Sequence, residues 1–221
     1  MAIGPSSAFP CLYSNGYRVL FSRAYKPESN GAADSTAITN IQRAAAAGLG
    51  NEIYMTPNPR STKSAATQVD ETISNLANSG LSIRSLWVQV TSPSVWGSNT
   101  AMNANFITAA ISRIRARGVR PGVYTSMYDW QQITNNNSGL GTDVMLWYWS
   151  VFGPGTGGES NATFGDFRPF GQWSVPNVKQ FGQGESICGL NANRDNYFAS
   201  SVSNKELDNK NSLVVGGNVG F

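Results

Sequence analysis

Short apolar runs alternate along the chain with stretches whose apolar residues recur at helical spacing. "RVLFSRAY" (18–25) reads as a buried strand. "DSTAITNIQRAAAAGLG" (34–50) follows as a helix, with Asp34 or Ser35 as its cap and Gly48 or Gly50 at its stop. "NEIYMTP" (51–57) is the next strand, ended by Pro57. "KSAATQVDETISNLANSG" (63–80) sets Val69, Ile73, Leu76 and Ala77 on one helical face and stops at Gly80. A strand over 83–91 comes next, then a helix over 103–118 with Phe106, Ala110 and Ile114 on one face. Further strands are expected at 119–128, 144–151, 178–183 and 193–199, without long helices between the last of them.

Strands that alternate with helices form parallel sheets through crossover connections. Seven or eight strands with helices only in the first half predict an α/β fold, a modified and incomplete β/α barrel resembling a TIM barrel. It is expected as one domain over 1–202, with a loosely held tail over 203–221 that is polar and then Gly-rich. A doubly wound open sheet is the rival, but no G-x-G-x-x-G turn and no Walker loop is present.

Composition narrows the chemistry. The 221 residues include no histidine. That excludes Ser-His-Asp and Cys-His catalysis and removes the commonest metal ligand. Acid–base work falls to the 13 carboxylates, to Tyr or to Lys, and neither a metal nor a cofactor is expected. Charged residues make up 13%, against about 25% in an average domain. The net charge of +3 comes from scattered Lys and Arg, which argues against nucleic acid as a partner. No apolar run reaches the ~20 residues of a membrane span. "MAIGPSSAF" has neither the basic start nor the long apolar stretch of a signal peptide, so a secreted protein would be in its mature form here. The two cysteines, Cys11 and Cys188, form either one long-range disulfide or two buried thiols. The even count in a weakly charged chain favours the disulfide and an oxidising compartment.

"GLGNEIYMTPNP", "SIRSLWVQVTSPSVW", "RPGVYTSMYDWQQIT", "LWYWSVFG", "FGQW", "VKQF" and "NRDNYF" occur in the order found in the nematode-type lysozymes of glycoside hydrolase family 25, the Chalaropsis-type lysozyme family. The resemblance covers roughly residues 2–199 and includes both cysteines. It implies a modified β/α barrel and an extracellular or lysosomal protein of defence or digestion. The implied partner is bacterial peptidoglycan or another N-acetylated glycan, cut at β-1,4 bonds after N-acetylmuramic acid.

The family's acidic positions are largely replaced. The Asp expected at the end of a first strand matches Gly4 in "MAIGPSS". The Asp-x-Glu expected in "WVQVT" matches Gln89 and Thr91. Asp195 in "NRDNYF" is retained and is the candidate catalytic residue. Glycoside hydrolysis ordinarily uses two carboxyl groups. Glu52 and Asp129 are the candidates for a partner, although Glu52 also reads as a buried structural group and Asp129 as a helix cap. Tyr54, Gln89, Thr91, Trp96, Tyr124, Trp130, Trp173 and Gln180 are the candidate glycan contacts, aromatic faces suiting sugar C–H surfaces and amides supplying hydrogen bonds. Trp87, Trp147 and Tyr148 are expected among the core fillers, and Arg23 either meets a carboxylate or lines the site. An active muramidase, a glycan binder without turnover, and a structural protein recruited from the same fold all remain open.

Overall fold

The computed structural model describes residues 3–199 and 212–220. Eight strands form one curled sheet, and helices cover its convex face. The chain enters through helix α1 (Ala8–Ser14) and strand β1 (Val19–Lys26). The two-residue strand β2 (Ala32–Ala33) returns against the end of β1. Helix α2 (Thr36–Ala46) leads to β3 (Gly50–Met55), and α3 (Ala65–Ala77) leads to β4 (Leu81–Ile83) and β5 (Ser85–Gln89). Then come α4 (Thr100–Ala116), β6 (Arg120–Thr125), α5 (Met127–Thr134) and β7 (Met145–Trp149). From β7 to β8 (Val178–Ile187) the connection holds only single 3-10 turns, and β9 (Leu190–Tyr197) pairs back antiparallel. The sheet order is β2-β1-β3-β5-β6-β7-β8-β9, with β1, β3, β5, β6, β7 and β8 parallel. The result is a mixed α/β half-barrel, open between the β1 and β9 sides.

Local chemistry places the helix ends. Gly48 takes φ +83° after α2, where its N–H and that of Leu49 reach back to Ala45 O and Ala44 O. A left-handed glycine closing a helix this way satisfies carbonyls that no later turn can reach. Helices α3, α4 and α5 start at Ser64, Asn99 and Ser126, whose side chains accept from Thr67 N, Met102 N and Asp129 N.

Side-chain alternation sorts each strand into two faces. Ile53, Met55, Leu86, Val88, Val123, Leu146 and Tyr148 point outward into the main core beneath α2, α3, α4 and α5. Tyr54, Trp87, Tyr124, Met145, Trp147 and Trp149 share the concave face. A Cβ on Gly122 would lie 2.2 Å from Trp87 Cε3, so this position leaves room for the buried indole.

The expected strand over 83–91 is two elements. Arg84 marks the break: its N–H donates to Val215 O at 2.7 Å, and its carbonyl accepts from Arg120 N at 2.9 Å. Strand β4 therefore pairs with β10 (Leu213–Val215) in a second, two-stranded sheet, while β5 joins the main one. Of the tail expected to be loosely held, 203–211 and 221 lie outside the described residues. In the described part, Asn218 N donates to Glu52 Oε1 at 2.8 Å and Gly216 N to Asn51 O at 2.7 Å. Cys11 and Cys188 are joined by a disulfide, which ties α1 to the β8–β9 turn beside Phe9, Leu12 and Leu49.

No helix among the described residues is long and apolar enough to cross a membrane.

Candidate functional site

A cleft of about 880 Å³ runs along the concave face, between the β1 side and the β8–β9 hairpin. Tyr54, Gln89, Thr91, Tyr124, Gln180 and Asp195, all expected at the site, line it. They come from five strands or their C-terminal ends, so the curl of the sheet alone assembles them. Arg23 lines it too and is held by Asp34, with Nε 3.1 Å from Oδ2.

Asp195 is half-buried on β9, opposite Gln180 on β8. Trp147 Nε1 donates to its carboxylate at 2.8 Å. Burial dominates over that single hydrogen bond and pushes its pKa up to about 7. Asp195 therefore carries a proton over much of the neutral range, as a donor to a leaving oxygen must. Tyr124 packs on Trp147 in a tilted pair with centroids 4.1 Å apart, and its hydroxyl donates to Gln180 Oε1 at 2.7 Å.

Gln89 and Thr91 sit at the end of β5 and form a closed network. Thr56 donates to Gln89 Oε1 at 2.6 Å, and Gln89 Nε2 donates to Thr91 Oγ1 at 2.9 Å. Neither side chain supplies a proton at neutral pH, and their mutual bonds fix them as wall and hydrogen-bonding groups.

Three expected contacts lie elsewhere. Trp130 is fully buried and Trp173 nearly so, packed edge-on with centroids 4.9 Å apart in the core under the helices. Their indole N–H groups are spent on Asn137 O and Val144 O. The reason is the face of α5: Met127 and Tyr128 turn to solvent, which points Trp130 and Ile133 inward. Trp96 is also buried, donating to Thr91 O at 3.1 Å. It lines a smaller neighbouring pocket of about 340 Å³ that shares Gln89, Thr91 and Ser92 with the main cleft.

Gly4 lines the cleft but not from a strand end. It lies in the coil before α1, with its N–H on Asn40 Oδ1 and its carbonyl on Arg43. A side chain there would meet Leu190 and Phe9 at 3.1–3.2 Å, so an aspartate at position 4 would face an apolar corner. Glu52 is fully buried and does not line the cleft. It accepts from Ser85 Oγ, Trp87 Nε1 and Asn218 N, which makes it the anchor of the C-terminal segment.

Two groups at the cleft were not placed there by sequence reasoning. Trp147, expected as core filler, and Trp149 both line the cleft. They stand two residues apart on β7, hence on one face, and "LWYWS" carries that alternation. Asp129 also reaches the cleft, and Trp149 Nε1 donates to its Oδ2 at 3.0 Å. Burial raises its pKa against the opposing hydrogen bonds of Trp149, Ser126 and the Ser92 N–H. Among the described residues no group of three or more His, Cys, Asp or Glu is placed to hold a metal.

The half-barrel with an aromatic, carboxyl-bearing cleft belongs to a known class of folds, that of the family 25 lysozymes. A muramidase from Trichobolus zukalii superposes with a TM-score of 0.65 at 19% identity, over 89% of this chain and 90% of that one. A family 25 lysozyme from Aspergillus fumigatus gives 0.66 at 14% identity, over the same shares.

Sequence comparison carries the assignment further. The family model of lysozyme-like protein 1 matches residues 2–181. Lysozyme-like protein 7 of Caenorhabditis elegans is 46% identical over 211 residues, 96% of this chain and 74% of that protein. The probable family 25 lysozyme 2 of Dictyostelium discoideum is 32% identical over 184 residues, 83% of this chain and 81% of its own length. The chain belongs to the lysozyme-like family, the nematode-type branch of glycoside hydrolase family 25.

Proposed function

We propose that this protein is a secreted or lysosomal lysozyme-like protein that binds bacterial peptidoglycan in the concave cleft and hydrolyses β-1,4 bonds after N-acetylmuramic acid, in defence or digestion. We read the half-barrel as a β/α barrel with helices in its first half only, whose C-terminal strand ends carry the chemistry. The observation that carries the proposal is Asp195, aimed into an aromatic-walled cleft with its pKa pushed up to about 7. A protonated carboxyl there supplies the acid for glycosidic cleavage. The disulfide supports an oxidising compartment. The test is release of muropeptides from purified peptidoglycan by the native chain and by Asp195→Asn. Release that disappears in the variant supports hydrolysis.

A second reading is favoured by Gln89 and Thr91, which stand hydrogen-bonded where the family places an acidic pair. In that reading the cleft binds glycan without turnover. Sedimentation with insoluble peptidoglycan, unaccompanied by release, would select it.

A further inference from the structure

We propose that the small pocket beside the cleft is a second binding site, in which Arg60 holds a carboxylate of the peptide branches carried by peptidoglycan strands. The inference rests on the reading of the cleft as a peptidoglycan site, and not on turnover there. The pocket, of about 340 Å³, lies at the C-terminal ends of β1, β3 and β5. That is the face where the parallel strands of a β/α barrel keep their ligands. The volume falls within the ~300–1,000 Å³ of small-molecule sites. The pocket shares Gln89, Thr91 and Ser92 with the main cleft, so a branch on a glycan bound in the cleft has direct access to it.

The walls are largely apolar and held in place. Pro27, Pro57, Pro59, Val95 and Trp96 supply the apolar surface. Asn58 joins the loops around it: its Nδ2 donates to Pro27 O at 3.0 Å and to Ser29 O at 3.2 Å. The Asn58 backbone N–H and C=O exchange bonds with the Gln68 amide of α3, each at 2.9 Å. The bond from Thr56 Oγ1 to Gln89 Oε1 fastens the same loop to the cleft wall. A pocket braced in this way loses little freedom when it is filled.

Arg60 is the single charged residue among those lining the pocket. Its Nη2 donates to Ser94 O at 3.1 Å and to Trp96 O at 3.0 Å, which ties the guanidinium to the loop after β5. Its Nε and Nη1 make no hydrogen bond or ion pair among the described residues. Prolines bring no backbone N–H to the wall, so Arg60 is the donor that an entering anion meets there. A fixed guanidinium with donors to spare selects a carboxylate over a neutral sugar. The peptide branches of peptidoglycan carry free carboxylates, whereas the hydroxyls and acetamides of its glycan are neutral.

Calorimetry tests this with soluble glycan strands of three kinds: bearing peptide branches, bearing branches whose carboxyls are amidated, and stripped of peptide by an amidase. The proteins are native, Asp195→Asn to separate binding from turnover, and Asp195→Asn combined with Arg60→Gln or Arg60→Lys. The branched strands should bind at least about fivefold more tightly than the amidated or stripped ones. Arg60→Gln should erase that difference while its affinity for stripped strands stays within about twofold. Arg60→Lys, which keeps the charge, should retain part of the difference. Equal affinities for branched and amidated strands, or a preference that survives Arg60→Gln, overturn the proposal. A loss of the same size on all three probes in Arg60→Gln overturns it too, because Arg60 would then only brace the loop at Ser94 and Trp96. A native protein that binds none of the three overturns it together with the reading of the cleft.

Discussion

Replacing Asp195 by Asn should stabilise the protein at and above neutral pH. Burial raises the Asp195 pKa from the ordinary 3.8 to about 7. A carboxyl whose pKa is higher folded than unfolded holds its proton more tightly in the folded state. The stability it contributes is complete below pH ~4 and is lost as pH rises through ~7. At 1.36 kcal/mol per pH unit the full difference is roughly 4 kcal/mol. Asp195 is only half-buried, and solvent in the cleft screens its charge, so about 2 kcal/mol is the working figure. For a chain of 221 residues this is a rise of roughly 4–8 °C in melting temperature at pH 8 relative to native. At pH 4 the two proteins should melt within a degree or two of each other. Asparagine keeps an acceptor for the Trp147 indole, so the comparison isolates the charge. Thermal melts followed by tryptophan fluorescence from pH 4 to 8 provide the assay. Parallel curves for the two proteins across that range, or a variant less stable than native at pH 8, would refute the argument that an underpaired charge is held in the cleft.

Three further outcomes follow from packing and covalent geometry. Gly122→Ala forces a methyl to within 2.2 Å of the fully buried Trp87 ring, and should cost up to about 3 kcal/mol in urea unfolding. Asn218→Ala removes the donor to Asn51 O at 2.7 Å and should cost about 1–3 kcal/mol, with faster proteolysis of the C-terminal segment as its most direct sign. Reducing the Cys11–Cys188 bridge, which spans 177 residues of sequence, should lower stability by up to about 5 kcal/mol and convert a thiol titre of zero into two.

Much of the fold is written in hydrophobic pattern, and the parts that are not have physical reasons. Helices α2, α3 and α4 each bury one stripe and end at a glycine, so periodicity and punctuation agree. Helix α1 has seven residues with Pro10 among them, too short for a period to register. Strand β10 is three residues long, and its partner β4 lies about 130 residues earlier. Nothing local to "SLVVGG" announces that pairing; the buried bonds of Gly216 and Asn218 to Asn51 and Glu52 on neighbouring β3 hold the chain there.

At the site the lesson concerns direction rather than residue type. Trp130 and Trp173 follow strands in the sequence, which predicts a place in the groove, but helical periodicity decides where Trp130 points. Trp130, Ile133 and Thr134 recur at helical spacing and are all buried, which marks an inward face. Trp147 and Trp149 recur at strand spacing, and alternation from the outward Tyr148 sends both into the cleft. Asp129 reads as a helix cap in sequence, but the cap is Ser126, whose hydroxyl accepts from the Asp129 N–H. The same backbone position also ends the parallel strand β6, and that end of the sheet is where a cleft can form. The Ser126 cap fixes the first turn of α5, and that turn carries the Asp129 carboxylate into the cleft, where Trp149 donates to it. Trp149→Phe should leave the Ser126 cap and the fold intact yet raise the Asp129 pKa further, because Asp129 loses a donor that favours its charge; NMR of the carboxyl carbon across pH checks it. An unchanged titration would mean that the Trp149 bond does not govern the charge on Asp129.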